Sequence, residues 1–120
     1  MVEIWKPVKE WEKFYLISNL GRIKSLDRIT KNGRGLFLKR GRILKTNTNN
    51  KGYEFVRLID KNRIIKVYIH RLVAEAFLPN IENKREVNHL DCNPLNNIVT
   101  NLEWCTHKEN SNTKIGENNK

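Results

Sequence analysis

The chain has 120 residues and a formal net charge of +10, from 23 Lys and Arg against 13 Asp and Glu. That length is enough for one domain with one modest core. No run approaches the roughly 20 apolar residues of a membrane span, and "MVEIWKPVKEW" lacks the apolar stretch of a signal peptide, so a cytoplasmic location is expected.

In chain order, the first two-thirds reads as short strands separated by turn residues. Residues 14–17 form an apolar run, 18–21 a turn and 22–26 a second alternating run, which together signal a hairpin. "GLFLKRGRILK" predicts another hairpin centred on Gly41, and "YEFVRLIDKNRIIKVYI" a third, with residues 60–62 at its tip. The buried face of this third hairpin is left open by its pattern. The intervening "TNTNNKG", residues 46–52, predicts a polar loop. Trp5, Trp11, Phe14 and Tyr15 are candidates for the core of the N-terminal sheet.

The period then changes. "HRLVAEAFLP" sets Leu72, Val73, Ala76 and Phe77 on one side and stops at Pro79, which predicts a helix of about two turns. A polar connection, "NIENKRE", leads to a short strand at "VNHL". Residues 102–105 are a candidate return strand, and Thr106 followed by Glu109 is a capping-box pattern that starts a helix at His107. Val87, Leu102, Trp104 and Phe77 are expected in the core, and the last residues are polar.

Charge adds the first functional signal. Between positions 20 and 52 lie ten basic residues, among them Arg22, Lys24, Arg28, Lys39, Arg40, Arg42 and Lys45, against the acid Asp27. Such a concentration favours a polyanionic partner, because neutralising phosphates releases condensed counterions; a merely solvated basic face is the plainer alternative. Cys92 and Cys105, with no CxxC pair, are expected to be reduced thiols. A zinc site built from them with His70 and His107 lacks the paired spacing such sites show, and structural zinc is not expected.

The second signal is "VNHLDCNPLNNIVTNLEW", in which five asparagines surround His89 and Asp91. Strand, loop, strand and helix can bring His89, at the end of the first strand, beside Asn110, one turn into the helix. Phosphodiester hydrolysis needs a base for water and a hard cation for developing charge. A neutral imidazole suits the first task, and amide or carboxylate oxygens suit Mg²⁺ or Mn²⁺. A turn-rich loop whose amides bond the local backbone is the competing reading.

These residues carry a resemblance. "VNHLDCNPLNNIVTNLEWCTHKEN" resembles the HNH motif of phage and intron-encoded homing endonucleases, with their ββα-metal fold. "HRLVAEAF" is similar to the segment preceding that motif, and "EIWKPVKEWEKFYLISNLGRIKSL" to the nuclease-associated modular DNA-binding segment often fused to it. The resemblance implies an α+β chain, with N-terminal antiparallel β-hairpins forming a DNA-binding module over residues 1–60 and an HNH region over 61–120, the whole one compact unit.

It further implies that His89 is the general base, Asn101 braces the loop and helps orient the histidine, and Asn88 and Asn110 hold one Mg²⁺ or Mn²⁺ ion per active site. Many relatives have an aspartate where Asn88 stands, so metal affinity is expected to be lower unless a group such as Asp91 compensates. Asn96 and Asn97 are expected to shape the turn. Arg71 joins the candidate DNA contacts, His70 beside it is expected to make a structural hydrogen bond or a DNA contact, and His107 is expected to be exposed.

The implied partner is duplex DNA, in the host cytoplasm where the chain is phage-encoded. A monomer would nick one strand, and a dimer or two events would be needed for a double-strand break. Alternatives are a DNA-binding relic without chemistry and an RNA-binding or RNA-cleaving protein. Larger relatives append a helix-turn-helix for target choice, so looser specificity or a specificity-giving partner is expected here.

Overall fold

A computed structural model describes residues 1–60 and 62–109. Strands β1 (Trp5–Pro7), β2 (Tyr15–Ser18) and β3 (Ile23–Ser25) form an antiparallel sheet with β2 in the centre. Alternation along β2 turns Tyr15 and Ile17 into the protein, and Ile17 faces Ile23 across the strands, both fully buried. The hydroxyl of Tyr15 donates to the Ile59 carbonyl and accepts from the Ile59 N–H, at 3.1 and 3.0 Å, tying this sheet to a distant strand end. Trp5 departs from its expected burial. It lies half-exposed at the sheet edge, with Lys24 Nζ 4.3 Å from its ring centre.

The next hairpin also differs from expectation. Strands β4 (Arg28–Asn32) and β5 (Gly35–Lys39) pair directly, and the chain reverses at Gly33 and Arg34 rather than at Gly41. The cause is local: Asn32 Oδ1 accepts the Arg34 N–H at 2.8 Å, an Asx turn that closes the reversal within "NGRG". Gly41 instead marks a close backbone approach. A Cβ there would lie 2.2 Å from the Ser25 carbonyl oxygen, and its N–H is taken by Asp27 Oδ1 at 2.6 Å. The following residues run along β3 through a Lys24–Ile43 bridge.

Strands β6 (Asn47–Thr48), β7 (Glu54–Ile59) and β8 (Ile64–Tyr68) form a second three-stranded sheet, so the expected loop over 46–52 contains a short strand. In β7 the open question of facing is resolved: Phe55, Val56 and Leu58 are buried, and Arg57 and Ile59 are exposed. Helix α1 (Ile69–Phe77) buries Ile69, His70, Leu72, Val73 and Ala74. Two of its last carbonyls find side-chain donors, Ala76 O from Lys6 Nζ and Leu78 O from Trp104 Nε1, at 3.3 and 3.0 Å.

Strands β9 (Glu86–His89) and β10 (Leu102–Cys105) form an antiparallel pair, as expected from "VNHL" and residues 102–105. Helical residues follow from His107 to Glu109. The capping box is present in both directions, with Thr106 and Glu109 exchanging side-chain to backbone bonds at 3.1 Å. One apolar cluster joins the parts: Ile17 and Ile23, Val56 and Leu58, Ile69 and Val73 of α1, and Val87 and Leu102. Each fully buried aliphatic among them stabilises the fold by about 1.5–3 kcal/mol.

Among the described residues, no helix is long and apolar enough to cross a membrane. Cys92 is exposed and Cys105 buried, both as free thiols. Burial pushes the Cys105 thiol up to about 11.

Candidate active site

His89 is the last residue of β9 and pairs with Leu102, while Asn88 faces Glu103. The chain turns inward here, and Val87, Asn88 and His89 are all buried. The imidazole of His89 is packed against two rings, His70 at 5.1 Å and Tyr53 at 5.8 Å between centres.

A line of hydrogen bonds runs outward from that imidazole. His89 Nε2 lies 2.8 Å from Asn97 Oδ1, Asn97 Nδ2 donates to Glu54 Oε1 at 2.7 Å, and Thr46 Oγ1 donates to Glu54 Oε2 at 2.6 Å. Asn97 is buried almost completely. A carboxylate only accepts, so the amide must turn its NH₂ to Glu54 and its oxygen to the ring. The nitrogen facing that oxygen carries the proton, which leaves Nδ1 with the lone pair.

The loop between β9 and β10 is organised by Asp91. Its Oδ1 accepts from the Asn93 N–H and from Asn101 Nδ2, and its Oδ2 from Asn96 Nδ2, at 2.8–2.9 Å. Asn101 also accepts the Asp91 N–H and donates to the Asn96 carbonyl. These bonds hold the Asp91 carboxyl below the usual carboxylate range, first through Asn96. Asn101 therefore braces the loop, while the direct contact to the imidazole comes from Asn97, for which the sequence suggested the turn first and a phosphate contact second. With both oxygens engaged, Asp91 is poorly suited to replace the missing aspartate.

Asn88 donates through Nδ2 to Glu103 Oε1 at 3.0 Å. Its oxygen is then the atom a hard cation would take, beside a carboxylate from the neighbouring strand. This oxygen donor set fits Mg²⁺ or Mn²⁺. Asn110, the other expected ligand, lies outside the described residues. Among the described residues, no group of three or more His, Cys, Asp or Glu is placed to hold a metal.

His70 is buried, and its Nδ1 has no hydrogen-bond partner among the described residues. Its ring is stacked among Tyr53, Tyr68 and His89. Burial, then the nearby His89 and Arg71, lower its pKa from 6.5 to about 4, so it is neutral beside His89. His107 is exposed as expected, with Nδ1 2.9 Å from Glu86 Oε2.

The basic residues separate into groups. Arg28, Lys39, Arg40, Arg42 and Lys45 line one open groove of about 340 Å³ between β3 and β7, joined by Arg57, with no carboxylate among its described lining residues, although Arg40 also reaches Asp27 at 3.6 Å. Arg22 lies apart from the groove, ion-paired to Glu3, and Lys24 rests on Trp5. Arg71 lies at the wall of a second cavity with His70, Tyr53 and Tyr68, and donates to the Arg85 carbonyl at 2.8 Å.

The N-terminal sheet reaches this site directly. Asn19 O accepts the Val99 N–H at 2.8 Å. Gly21, at φ +86°, sits where a Cβ would lie 3.0 Å from Asn97 Cβ and Asn97 O.

Comparison with known proteins gives two adjoining matches, to the NUMOD4 motif over residues 3–59 and to an HNH endonuclease model over 67–112. Among curated proteins, the chain is 34% identical over 106 residues to the DNA endonuclease I-HmuI of Bacillus phage SP01, covering 88% of this chain and 54% of that one. It is 43% identical over 82 residues to an uncharacterized HNH endonuclease, L245, of Acanthamoeba polyphaga mimivirus, covering 68% and 25%. A third relative, H-N-H endonuclease F-TflII of Escherichia phage T5, is 30% identical over 110 residues, covering 90% and 50%.

The chain thus spans between a quarter and about half the length of these relatives. A solved structure describing DNA binding and cleavage by the HNH homing endonuclease I-HmuI superimposes with a TM-score of 0.78 at 30% identity, covering 96% of this chain and 59% of that one.

Proposed function

We propose that this chain, which matches the NUMOD4 motif over residues 3–59 and an HNH endonuclease model over 67–112, is a nuclease of the HNH homing type that binds duplex DNA and hydrolyses one phosphodiester bond per site, nicking one strand. The observation that carries this reading is the buried His89, held through Nε2 by Asn97 at 2.8 Å with its Nδ1 lone pair left for chemistry.

In this reading His89 Nδ1 takes the proton from the attacking water, a role a neutral imidazole fills near pH 7. Asn97 holds the ring's other nitrogen, and the Asp91–Asn101 bonds fix the loop that carries Asn97. Asn88 and Asn110 are the proposed cation ligands, and the Glu103 carboxylate 3.0 Å from Asn88 supplies the negative charge that an aspartate at position 88 would have brought. A Mg²⁺ or Mn²⁺ ion bound there would stabilise charge developing on the phosphate and the leaving oxygen. The groove lined by Arg28, Lys39, Arg40, Arg42 and Lys45 is the proposed backbone-binding surface, with Arg71 as a contact nearer the histidine.

One such site cuts one strand, so a monomer nicks and a double-strand break requires a dimer or two events. The amide at position 88 favours a second reading, a DNA-binding protein without chemistry. Incubation with supercoiled plasmid in Mg²⁺, Mn²⁺ or EDTA separates them: the proposal expects metal-dependent open circle, whereas binding without conversion supports the second reading. Competition by structured RNA tests duplex preference, since the two duplex forms present different grooves.

A further inference from the structure

We propose that Glu54, acting through Asn97, sets the tautomer and orientation of His89, so that the N-terminal module completes the active site as well as binding nucleic acid. The inference rests on the reading of His89 as general base, and goes beyond it by assigning positioning roles to residues outside the HNH segment.

An asparagine amide alone can present either its oxygen or its NH₂ to an imidazole, and the two choices select opposite tautomers. Glu54 removes the choice: its Oε1 accepts from Asn97 Nδ2 at 2.7 Å, so only the oxygen can face His89. The carboxylate is fixed in turn, because Thr46 Oγ1 donates to Oε2 at 2.6 Å. The result is a proton on Nε2 and a lone pair on Nδ1. The chain of bonds is sheltered, since Asn97 and His89 are both buried, and low local polarity strengthens such a line.

Its origin is split across the molecule. His89 and Asn97 belong to the segment matching the HNH endonuclease model, and Glu54 and Thr46 to the segment matching the NUMOD4 motif. The same module reaches the same loop at two further points, the Asn19 carbonyl on the Val99 N–H and Gly21 against Asn97. Three contacts from one module on one loop form a seat for the histidine's partner.

The test uses the full 120-residue chain with ¹⁵N-labelled histidine, assigned by loss of the signals in His89→Gln. In the native protein His89 should show a protonated Nε2 and an unprotonated Nδ1. Glu54→Ala frees the amide to turn, so the His89 pattern should become a tautomer mixture, with kcat for plasmid nicking falling roughly 10- to 100-fold while KM for DNA stays within about twofold. Glu54→Gln keeps an acceptor oxygen for Asn97 and should restore the native pattern and most of kcat. A native ¹⁵N pattern in Glu54→Ala overturns the proposal. So does an equal kcat loss in both variants with an unchanged pattern, which would mark a structural role only. Because the ¹⁵N pattern is read without cleavage, a native protein that shows the expected tautomer yet never nicks DNA would sink the nuclease reading and leave the positioning chain standing.

Discussion

The β4–β5 hairpin and the β9–β10 pair are both two-stranded and antiparallel, yet they spend their residues in opposite ways. In β4–β5 the reversal is tight, and Ile29, Leu36, Phe37 and Leu38 all remain exposed among basic side chains. In β9–β10 the strands are separated by residues 90–101, a long connection, but side chains of Asp91, Asn93, Asn96, Asn97 and Asn101 bond it throughout. Connection length is therefore a poor guide to order in this molecule. What differs is where the side chains go: inward, to fix one imidazole, or outward, to a largely exposed surface.

The contrast can be broken at its strongest point first. Asn101→Ala removes three hydrogen bonds within the long loop and should lower stability by about 2–4 kcal/mol, read by urea unfolding. Thr30→Ala in β4 should change it by less than about 0.5 kcal/mol. Equal losses at both positions would erase the distinction between the two hairpins.

Acid should act on the same side. The folded protein holds His70 neutral, with a pKa of about 4 against the ordinary 6.5. The unfolded chain therefore binds more protons between those values. Stability from this group is fully present above pH 6.5 and is lost as pH falls toward 4, by roughly 3 kcal/mol. Across that window the stability difference between the native protein and His70→Phe should shift in favour of the variant as pH falls, and a constant difference would contradict the burial of a neutral imidazole.

A smaller effect sharpens the link between module and site. Gly21→Ala places a side chain at φ +86° and against Asn97, and should cost about 1–2 kcal/mol. Its kcat should fall more than its DNA affinity, whereas loss of affinity alone would detach Gly21 from the histidine. The smallest stability change is expected in the open hairpin. Phe37→Ser should shift unfolding by no more than about 0.5 kcal/mol. In the adjoining groove, Lys39→Ala and Arg42→Ala should each lower the salt dependence of DNA binding by about 0.9 in log–log slope if that residue contacts a phosphate.

Much of this architecture is legible in local pattern. Helix α1 follows from its 3.6-residue spacing and Pro79, and β9, β10 and the capping box from short runs with clear ends. The β4–β5 reversal was obscured because Gly41 stands at the middle of a symmetric-looking segment, although its glycine serves a close approach to Ser25. Trp5 reads as core by residue type, but the edge of a small sheet leaves it between Arg22 and Lys24.

At the site, His89 and the bracing by Asn101 are signalled by spacing and resemblance. Asn97 is hidden in an Asn-Asn pair that any turn could explain. Glu54 has no local signal, because its value comes from a contact 43 positions away that exists only after both sheets have packed. His70 is visible as a helix residue, while its neutrality depends on burial and on His89, which is brought beside it from the distant strand β9.

The most direct test of the central claim compares the native protein with His89→Ala on supercoiled plasmid in Mg²⁺, at concentrations giving equal DNA occupancy. The account predicts open circle from the native protein, inhibited by EDTA, and a nicking rate roughly 10²- to 10⁴-fold lower in the variant. Equal rates at equal occupancy would show that the imidazole at the end of β9 is not the base, and would remove the centre of the assignment.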